Sequence, residues 1–498
     1  MLMRSRYVRM PVQLHYSYTT GTRFSHGTVN KYNFNSHLRT LINTLPPYPF
    51  RARPTYSPRV DTLLDQITPT LHSMTFQQDA SVTSFLECEE TKRLLKLTSF
   101  QLHRHRRALD QRNLYLGLDI DKISADEAKP FATYTRKLDQ VLSLIGWGSY
   151  PKGSGVRILA LDGGGSRGLV AIELLSALEQ CTGQRLRDMF DLVYGTSTGA
   201  IIIFLHFVCK IELSDCIKIY QKFSHQIFTQ STFGAAYQIW STHSIYNAEL
   251  LREFLSEQKT TQLPMWVTPS SSSQPRLGVV ATHVGDTPQP YIFRNFRIPS
   301  VSKYEGVCDV KWIDAILAST AAPGYFAEYC IGSSAFQDGG LVANNPSALA
   351  IHEASILWPE HKIQCLVSIG TGKMSNFESL VETASSSSDD KDSQGINILS
   401  ITDKLRVLFY CITSSSNGTH DTLSDLLPML GVPYFRLNPG FSKEVPMDES
   451  REEELNLIIQ ETKKYINHNK IKFANMREAL FREPSGLTNF FKQIQMSK

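Results

Sequence analysis

The chain has 498 residues, 42% of them hydrophobic and 20% charged, which allows a sizeable core and excludes a disordered chain. The formal net charge of +4 is uneven: residues 1–60 hold eight Arg, one Lys and no acidic residue, which leaves the remainder near −5. The basic balance therefore belongs to one end, the body has no basic stripe, and a nucleic-acid partner is excluded.

The first segment, residues 1–60, is Arg-rich, acid-free and full of Ser, Thr and Tyr. Those are the marks of a mitochondrial presequence, against the plainer reading of a basic tail. It reads as disordered and ends in the Pro-rich Leu45–Pro49. Arg4, Arg6 and Arg9 interrupt any secretory apolar run, and the final Met496-Ser497-Lys498 lacks the closing Leu of a peroxisomal tripeptide. The expected location is a mitochondrial membrane surface, with a peroxisomal or endoplasmic-reticulum pool left open.

Residues 61–150 read as helical. Leu63, Leu64, Ile67 and Leu71 share one face, and a second helix runs through Leu94, Leu95, Leu97 and Leu102. The run His103-Arg104-His105-Arg106-Arg107 fits either anionic headgroups or a solvated helix face. Asp119-Ile120-Asp121 begins like a calcium loop, but Ile123 and Ser124 stand where an oxygen ligand and a glycine are needed. The eight Cys show no metal-ligand spacing and read as free thiols of a reducing compartment. No metal and no cofactor is expected.

Lys152-Gly153-Ser154-Gly155 reads as a hinge into a domain over 155–375. Val156–Leu161 is predicted as a buried strand, followed by a Gly-rich turn and a helix from Leu169 to about residue 180. Asp191–Tyr194 is a second short strand, followed by another turn and a buried helix over 200–209. Strand–turn–helix repeated in this way predicts a parallel α/β sheet. Further strands are expected at 277–284, 291–296 and 364–369, and a helix at 311–319. The Ser-rich 269–275 reads as the top of a hairpin, 376–395 as a flexible Ser/Asp loop, and 396–498 as a mainly helical part packing on the domain. The apolar run 200–209 has ten residues and includes His206, whereas a membrane span needs ~20. Membrane contact is therefore expected to be peripheral. The aromatic stretch from Tyr220 to Tyr246, with Phe223, Phe228, Phe233, Tyr237 and Trp240, fits a membrane-facing lid or plain core.

Two glycine-rich turns carry the chemistry. The first, Asp162-Gly163-Gly164-Gly165-Ser166-Arg167-Gly168, satisfies G-x-G-x-x-G between a strand and a helix. Its backbone N–H groups suit a pyrophosphate or a developing oxyanion equally well. The second, Gly195-Thr196-Ser197-Thr198-Gly199, matches the nucleophile elbow G-x-S-x-G, with an apolar strand before it and an apolar helix after it. Adjacent parallel strands would bring both turns to one sheet edge, so the nucleophile would face an anion hole. Asp338, in Asp338-Gly339-Gly340, is the candidate base, although Asp-Gly-Gly by itself is an ordinary turn. His352 and His420 follow it in the order a Ser–acid–His triad would require.

Together these elements resemble the patatin-like phospholipases, and most closely the calcium-independent phospholipases A2 of gamma type. Ala318–Phe326 and Ile369–Gly372 are similar to further segments of that family. The resemblance implies a three-layer α/β/α domain with a mainly parallel sheet, flanked here by helical N- and C-terminal extensions. It implies a Ser197–Asp338 dyad without a catalytic histidine. Residues 163–168 would form the oxyanion turn, with Arg167 near the charge. The expected reaction is calcium-independent hydrolysis of fatty-acyl esters of membrane phospholipids through an acyl-enzyme. Transfer to another alcohol, or action on neutral lipids, would use the same dyad. A homodimer is also open.

Overall fold

The computed structural model describes residues 31–45, 58–76, 89–115, 125–146, 151–229, 246–268, 274–299, 301–373, 409, 416–443 and 445–482. Residues 1–30 of the basic segment, the calcium-like Asp119–Asp121, the Ser/Asp loop at 376–395, and Phe233, Tyr237 and Trp240 lie outside them. Contacts divide the chain into two compact units, residues 1–144 with 330–335, and residues 145–329 with 336–498.

The first unit is helical: α1 (Lys31–Thr44), α2 (Pro58–Phe76), α3 (Glu89–Tyr115) and most of α4 (Ala125–Ile145). Disorder across all of 1–60 does not hold, because α1 buries Phe34, Leu38 and Leu41 against α2 and α3. Those residues recur at i, i+4 and i+7, a helical stripe that the Arg-rich composition hides. Val60, Leu63, Leu64, Ile67 and Leu71 of α2 are buried as the periodicity predicts, whereas Leu97 of α3 is 42% exposed. The basic run in α3 is a correction as well. His105 is buried with Nε2 2.8 Å from the Tyr134 hydroxyl, and Arg106 forms a buried ion pair with Asp139 at 3.1 Å. Burial, with Arg106 beside it, pushes the His105 pKa down to about 4. These two side chains join α3 to α4 and are not displayed to headgroups.

The second unit is built on a sheet in the order β5-β4-β3-β2-β1-β8-β9, where β1 is Val156–Leu161, β2 Leu192–Thr196, β3 Arg276–Val284, β4 Gln289–Arg294, β5 Glu305–Val307, β8 Ile363–Ile369 and β9 Tyr434–Leu437. All neighbours along this path are parallel except β3 and β4, which form an antiparallel hairpin. The hairpin turn is thus at 285–288. Of the Ser-rich 269–275, read as the top of a hairpin, residues 269–273 lie outside the described residues. Two short strands, β6 (Tyr329–Ile331) and β7 (Ser334–Asp338), pair with each other, and β7 also pairs with β3.

Helices cover both faces, so the central strands are apolar throughout instead of alternating. On one face α10 (Ser347–Leu357) and α11 (Ser416–Met429) pack on Ile158, Leu192, Tyr194, Val280 and Leu366. The other face meets α6 (Thr198–Ile202), α9 (Trp312–Ser319) and α13 (Lys470–Phe481), and α5 (Gly168–Thr182) packs against α6 and α13 as well as α7 (Leu213–Phe228) and α12 (Glu452–His468). Helix α8 (Ala248–Ser256) lies against α9 and α7. The apolar run after the second turn is buried through Phe207, and its later part, Ile203–Val208, is π-helical. Among the described residues no helix is long and apolar enough to cross a membrane.

Candidate active site

The register sets where the two turns lie. Leu161 at the end of β1 stands opposite Gly195 of β2 and Ile369 of β8. The segments beginning at Asp162, Ser197 and Gly370 therefore leave the sheet at one edge, the carboxyl end of its parallel strands, where open α/β sheets place their sites. The two turns touch: a Cβ on Gly163 would stand 3.1 Å from the Ser197 Cβ.

Ser197 sits at φ 52°, ψ −115°, a conformation side chains rarely adopt. The surroundings enforce it. Gly195 and Gly199 let the elbow close on itself, since a Cβ on Gly199 would meet the Leu161 carbonyl at 2.4 Å. The Ser197 amide donates to Ser319 Oγ at 2.9 Å, and Ser319 in turn donates to the Val280 carbonyl at 2.6 Å. Thr196 Oγ1 donates to the Ala343 carbonyl at 2.8 Å, and Thr198 Oγ1 to the Gly165 carbonyl at 2.8 Å, so the second bond ties one turn to the other.

Asp338 ends β7. Its amide donates to the Ala321 carbonyl at 2.9 Å, and its own carbonyl accepts from Thr282 Oγ1 at 2.7 Å. The Gly340 amide donates to Oδ1 at 2.7 Å, which leaves Oδ2 to accept from Ser197 Oγ at 2.6 Å. Burial pushes this carboxyl up to about 7, against the two hydrogen bonds that favour its ionised form. A carboxyl in that range is suited to acid–base work near neutral pH.

The glycine turn splits into two parts. Gly163, Gly164 and Gly165 line a pocket with Ser197 and Asp338. Ser166, Arg167 and Gly168 lie behind it, and their amides are already donated to the carbonyls of Met447, Gly164 and Gly165. The Gly163 amide goes to the Asn344 carbonyl at 3.3 Å. Among the described residues the amides of Gly164 and Gly165 meet no acceptor, which leaves them open to an anion beside Ser197. Arg167 does not line the pocket; its Nε lies 3.4 Å from the Gly164 carbonyl. A pyrophosphate would need the very amides that Met447 and the turn itself occupy. Neither His352 nor His420 lines the pocket: His352 contacts Ser302, Lys303 and Tyr304, and His420 contacts Tyr434.

The pocket is about 570 Å³ including its open mouth. Beyond the serine it is apolar, walled by Ile201, Phe223, Phe228, Leu251, Tyr325, Phe326, Phe409 and Met447. The described part of the aromatic stretch thus forms wall: Tyr220 anchors its hydroxyl 3.0 Å from Thr198 Oγ1, and Tyr246 packs on Phe228, Tyr325 and Phe326. Asn344 and Met447 are contributors that no sequence pattern singles out, whereas Ser319 and Thr371 stand in the family-like segments Ala318–Phe326 and Ile369–Gly372. Gly165 offers a direct test. It lies at φ +58°, and a Cβ there would meet the Met447 carbonyl at 2.0 Å. Gly165→Ala is expected to displace the turn and lower turnover by about 10²-fold or more, the scale for losing one oxyanion donor. Steady-state kinetics on the folded variant checks it.

The pattern of the patatin-like phospholipases matches residues 159–351. Over 362 residues the chain is 38% identical to the calcium-independent phospholipase A2-gamma of Mus musculus, covering 72% of this chain and 44% of that protein. It is 30% identical over 341 residues to phospholipase A I of Arabidopsis thaliana, covering 57% of this chain and 24% of that one. It is 32% identical over 247 residues to a cGAMP-activated phospholipase of Vibrio cholerae, covering 45% and 66% respectively. The chain spans less than half the length of the gamma relatives. The glycine turn, the serine elbow and the aspartate all fall inside the matched stretch, and through it the chain belongs to the patatin-like phospholipase family.

Proposed function

We propose that this chain hydrolyses fatty-acyl esters of membrane phospholipids, without calcium, through Ser197 and Asp338. The observation that carries the reading is the 2.6 Å contact between Ser197 Oγ and a buried carboxylate at the mouth of an apolar pocket. The names of the relatives, calcium-independent phospholipase A2-gamma above all, support the substrate class and the independence from calcium.

Ser197 Oγ attacks the acyl carbonyl carbon as its proton passes to Asp338 Oδ2. The carbonyl oxygen becomes an oxyanion facing the amides of Gly164 and Gly165. Collapse breaks the ester bond, and the proton on Asp338 goes to the departing alcohol of the lysophospholipid. Water then attacks the acyl-serine, Asp338 taking its proton. The second collapse returns that proton to Ser197 Oγ and releases the fatty acid. The apolar wall holds the acyl chain and keeps bulk water from the carboxyl, which raises its basicity.

The test is product analysis. Purified protein incubated with phosphatidylcholine vesicles and a calcium chelator is expected to release free fatty acid and lysophospholipid in equal amounts. A fluorophosphonate probe is expected to label Ser197. Loss of activity on chelation would remove the calcium-free reading. Acyl transfer to an added alcohol in place of free fatty acid would reassign the chain as a transacylase.

A further inference from the structure

We propose that Arg436 is a positioning residue for the oxyanion turn, acting through Asp162, with Thr371 as a second hold on the same turn. The proposal rests on the reading of Gly164 and Gly165 as the oxyanion donors.

Three successive glycines form a turn with little conformational preference of its own. An oxyanion hole works only when its dipoles are already aimed before charge develops, so such a turn must be held from outside. The structure shows where the hold comes from. Arg436 on β9 donates from Nη1 to Asp162 Oδ1 at 2.8 Å and to Ser368 Oγ at 2.9 Å, while its Nη2 meets Asp162 Oδ2. Both charged side chains are buried, at 4% and 2% exposure. Asp162 is the residue immediately before the glycines, so a two-pronged contact there fixes the direction in which the turn departs. Thr371 Oγ1 donates to the Gly163 carbonyl at 2.9 Å, and a Cβ on Gly164 would overlap Thr371 Oγ1 at 2.1 Å. Arg436 also has an electrostatic task. Asp162 alone would set a buried negative charge one residue before the glycines, and the guanidinium offsets it.

Arg436 and Thr371 both lie beyond residue 351, where the family pattern ends. Both holds on the turn therefore come from beyond that stretch, Arg436 from β9 and Thr371 from the segment just after β8. The Asp162–Arg436 contact joins positions 274 residues apart, which explains why no local pattern reveals it.

The test compares Arg436→Lys, which keeps the charge but loses the fork, with Thr371→Val, which keeps the shape but loses the hydroxyl. Active sites are counted by end-point fluorophosphonate labelling, and turnover of a short-chain acyl ester is expressed per labelled site. The expected result is a fall in kcat per labelled site of about 10-fold for Arg436→Lys and about 3-fold for Thr371→Val, with KM within about twofold, because both act on an interaction made mainly in the transition state. The double variant should lose less than the product of the two, since both holds act on one turn. A purely structural role would reduce the number of labelled sites and the Tm but leave turnover per site at the wild-type value; that result overturns the proposal. Should Arg436→Lys fail to fold, Thr371→Val decides alone. A wild-type protein that the probe does not label at Ser197 overturns the hydrolase reading and this proposal with it, whereas a labelled wild type with unaffected variants overturns the proposal alone.

Discussion

Replacing Ser197 with alanine is expected to lower phospholipid hydrolysis by about 10⁴-fold or more and to abolish fluorophosphonate labelling, because the acyl-enzyme route then has no nucleophile. Any residual rate would come from the pocket and the Gly164–Gly165 amides acting on bound water. The strained elbow supplies a second readout. At φ 52° and ψ −115° a side chain is carried in backbone territory suited to glycine, at a typical cost of about 1–3 kcal/mol. Ser197→Ala keeps that strain, whereas Ser197→Gly relieves it. Both variants should be inactive, and Ser197→Gly should melt above Ser197→Ala by a few degrees. Circular dichroism melts measure the difference. Equal melting temperatures would show that the elbow stores no strain, and an active Ser197→Ala would remove the nucleophile assignment.

The placement of this candidate site was legible in the sequence where one contiguous motif holds both a candidate reactive group and the backbone that presents it. The elbow at 195–199 and the turn at 162–168 are such motifs: the glycines that permit each turn stand next to the residue or amides that act. The parallel sheet was legible for a similar reason, since strand–turn–helix units state their own topology. What stayed hidden depends on contacts between distant positions. Met447 contributes a carbonyl that takes up the Ser166 amide, and any residue type could supply it. Arg436 looks ordinary until β9 is laid beside β8 and β1, and the Ile369–Gly372 segment gives no hint that Thr371 holds the Gly163 carbonyl. Composition also misled. The arginines of residues 1–60 masked the stripe of Phe34, Leu38 and Leu41, and the basic look of His105 and Arg106 masked their burial against α4. A charge count gives no information about which partners a fold will bring to those charges.

Asp338→Asn is expected to abolish hydrolysis and, at the same time, to stabilise the protein above neutral pH. The wild-type carboxyl is pushed up to about 7 by burial. As the base it must be ionised, so kcat/KM should rise with pH and reach half its plateau near pH 7, some three units above an ordinary aspartate. The same shift fixes the direction of the stability effect. Below about pH 4 the group is protonated in both the folded and the unfolded chain. Between about pH 4 and 7 the unfolded chain loses this proton while the folded chain keeps it, so stability falls as pH rises, and above 7 the loss is complete. A shift of that size corresponds to on the order of 4 kcal/mol at pH 8. Asparagine carries no charge at any pH and can still accept from the Gly340 amide, so it removes this pH dependence. The variant should therefore melt several degrees above wild type at pH 8, with the gap narrowing at pH 5 and closing near pH 4. Parallel melts and pH–rate profiles separate the alternatives. A profile with its midpoint near pH 4, or a variant less stable than wild type at pH 8, would mean that the carboxylate is well solvated and that its basicity comes from elsewhere. A gain in stability coupled to complete loss of turnover would mark Asp338 as a group held against its own solvation for the sake of the proton it carries.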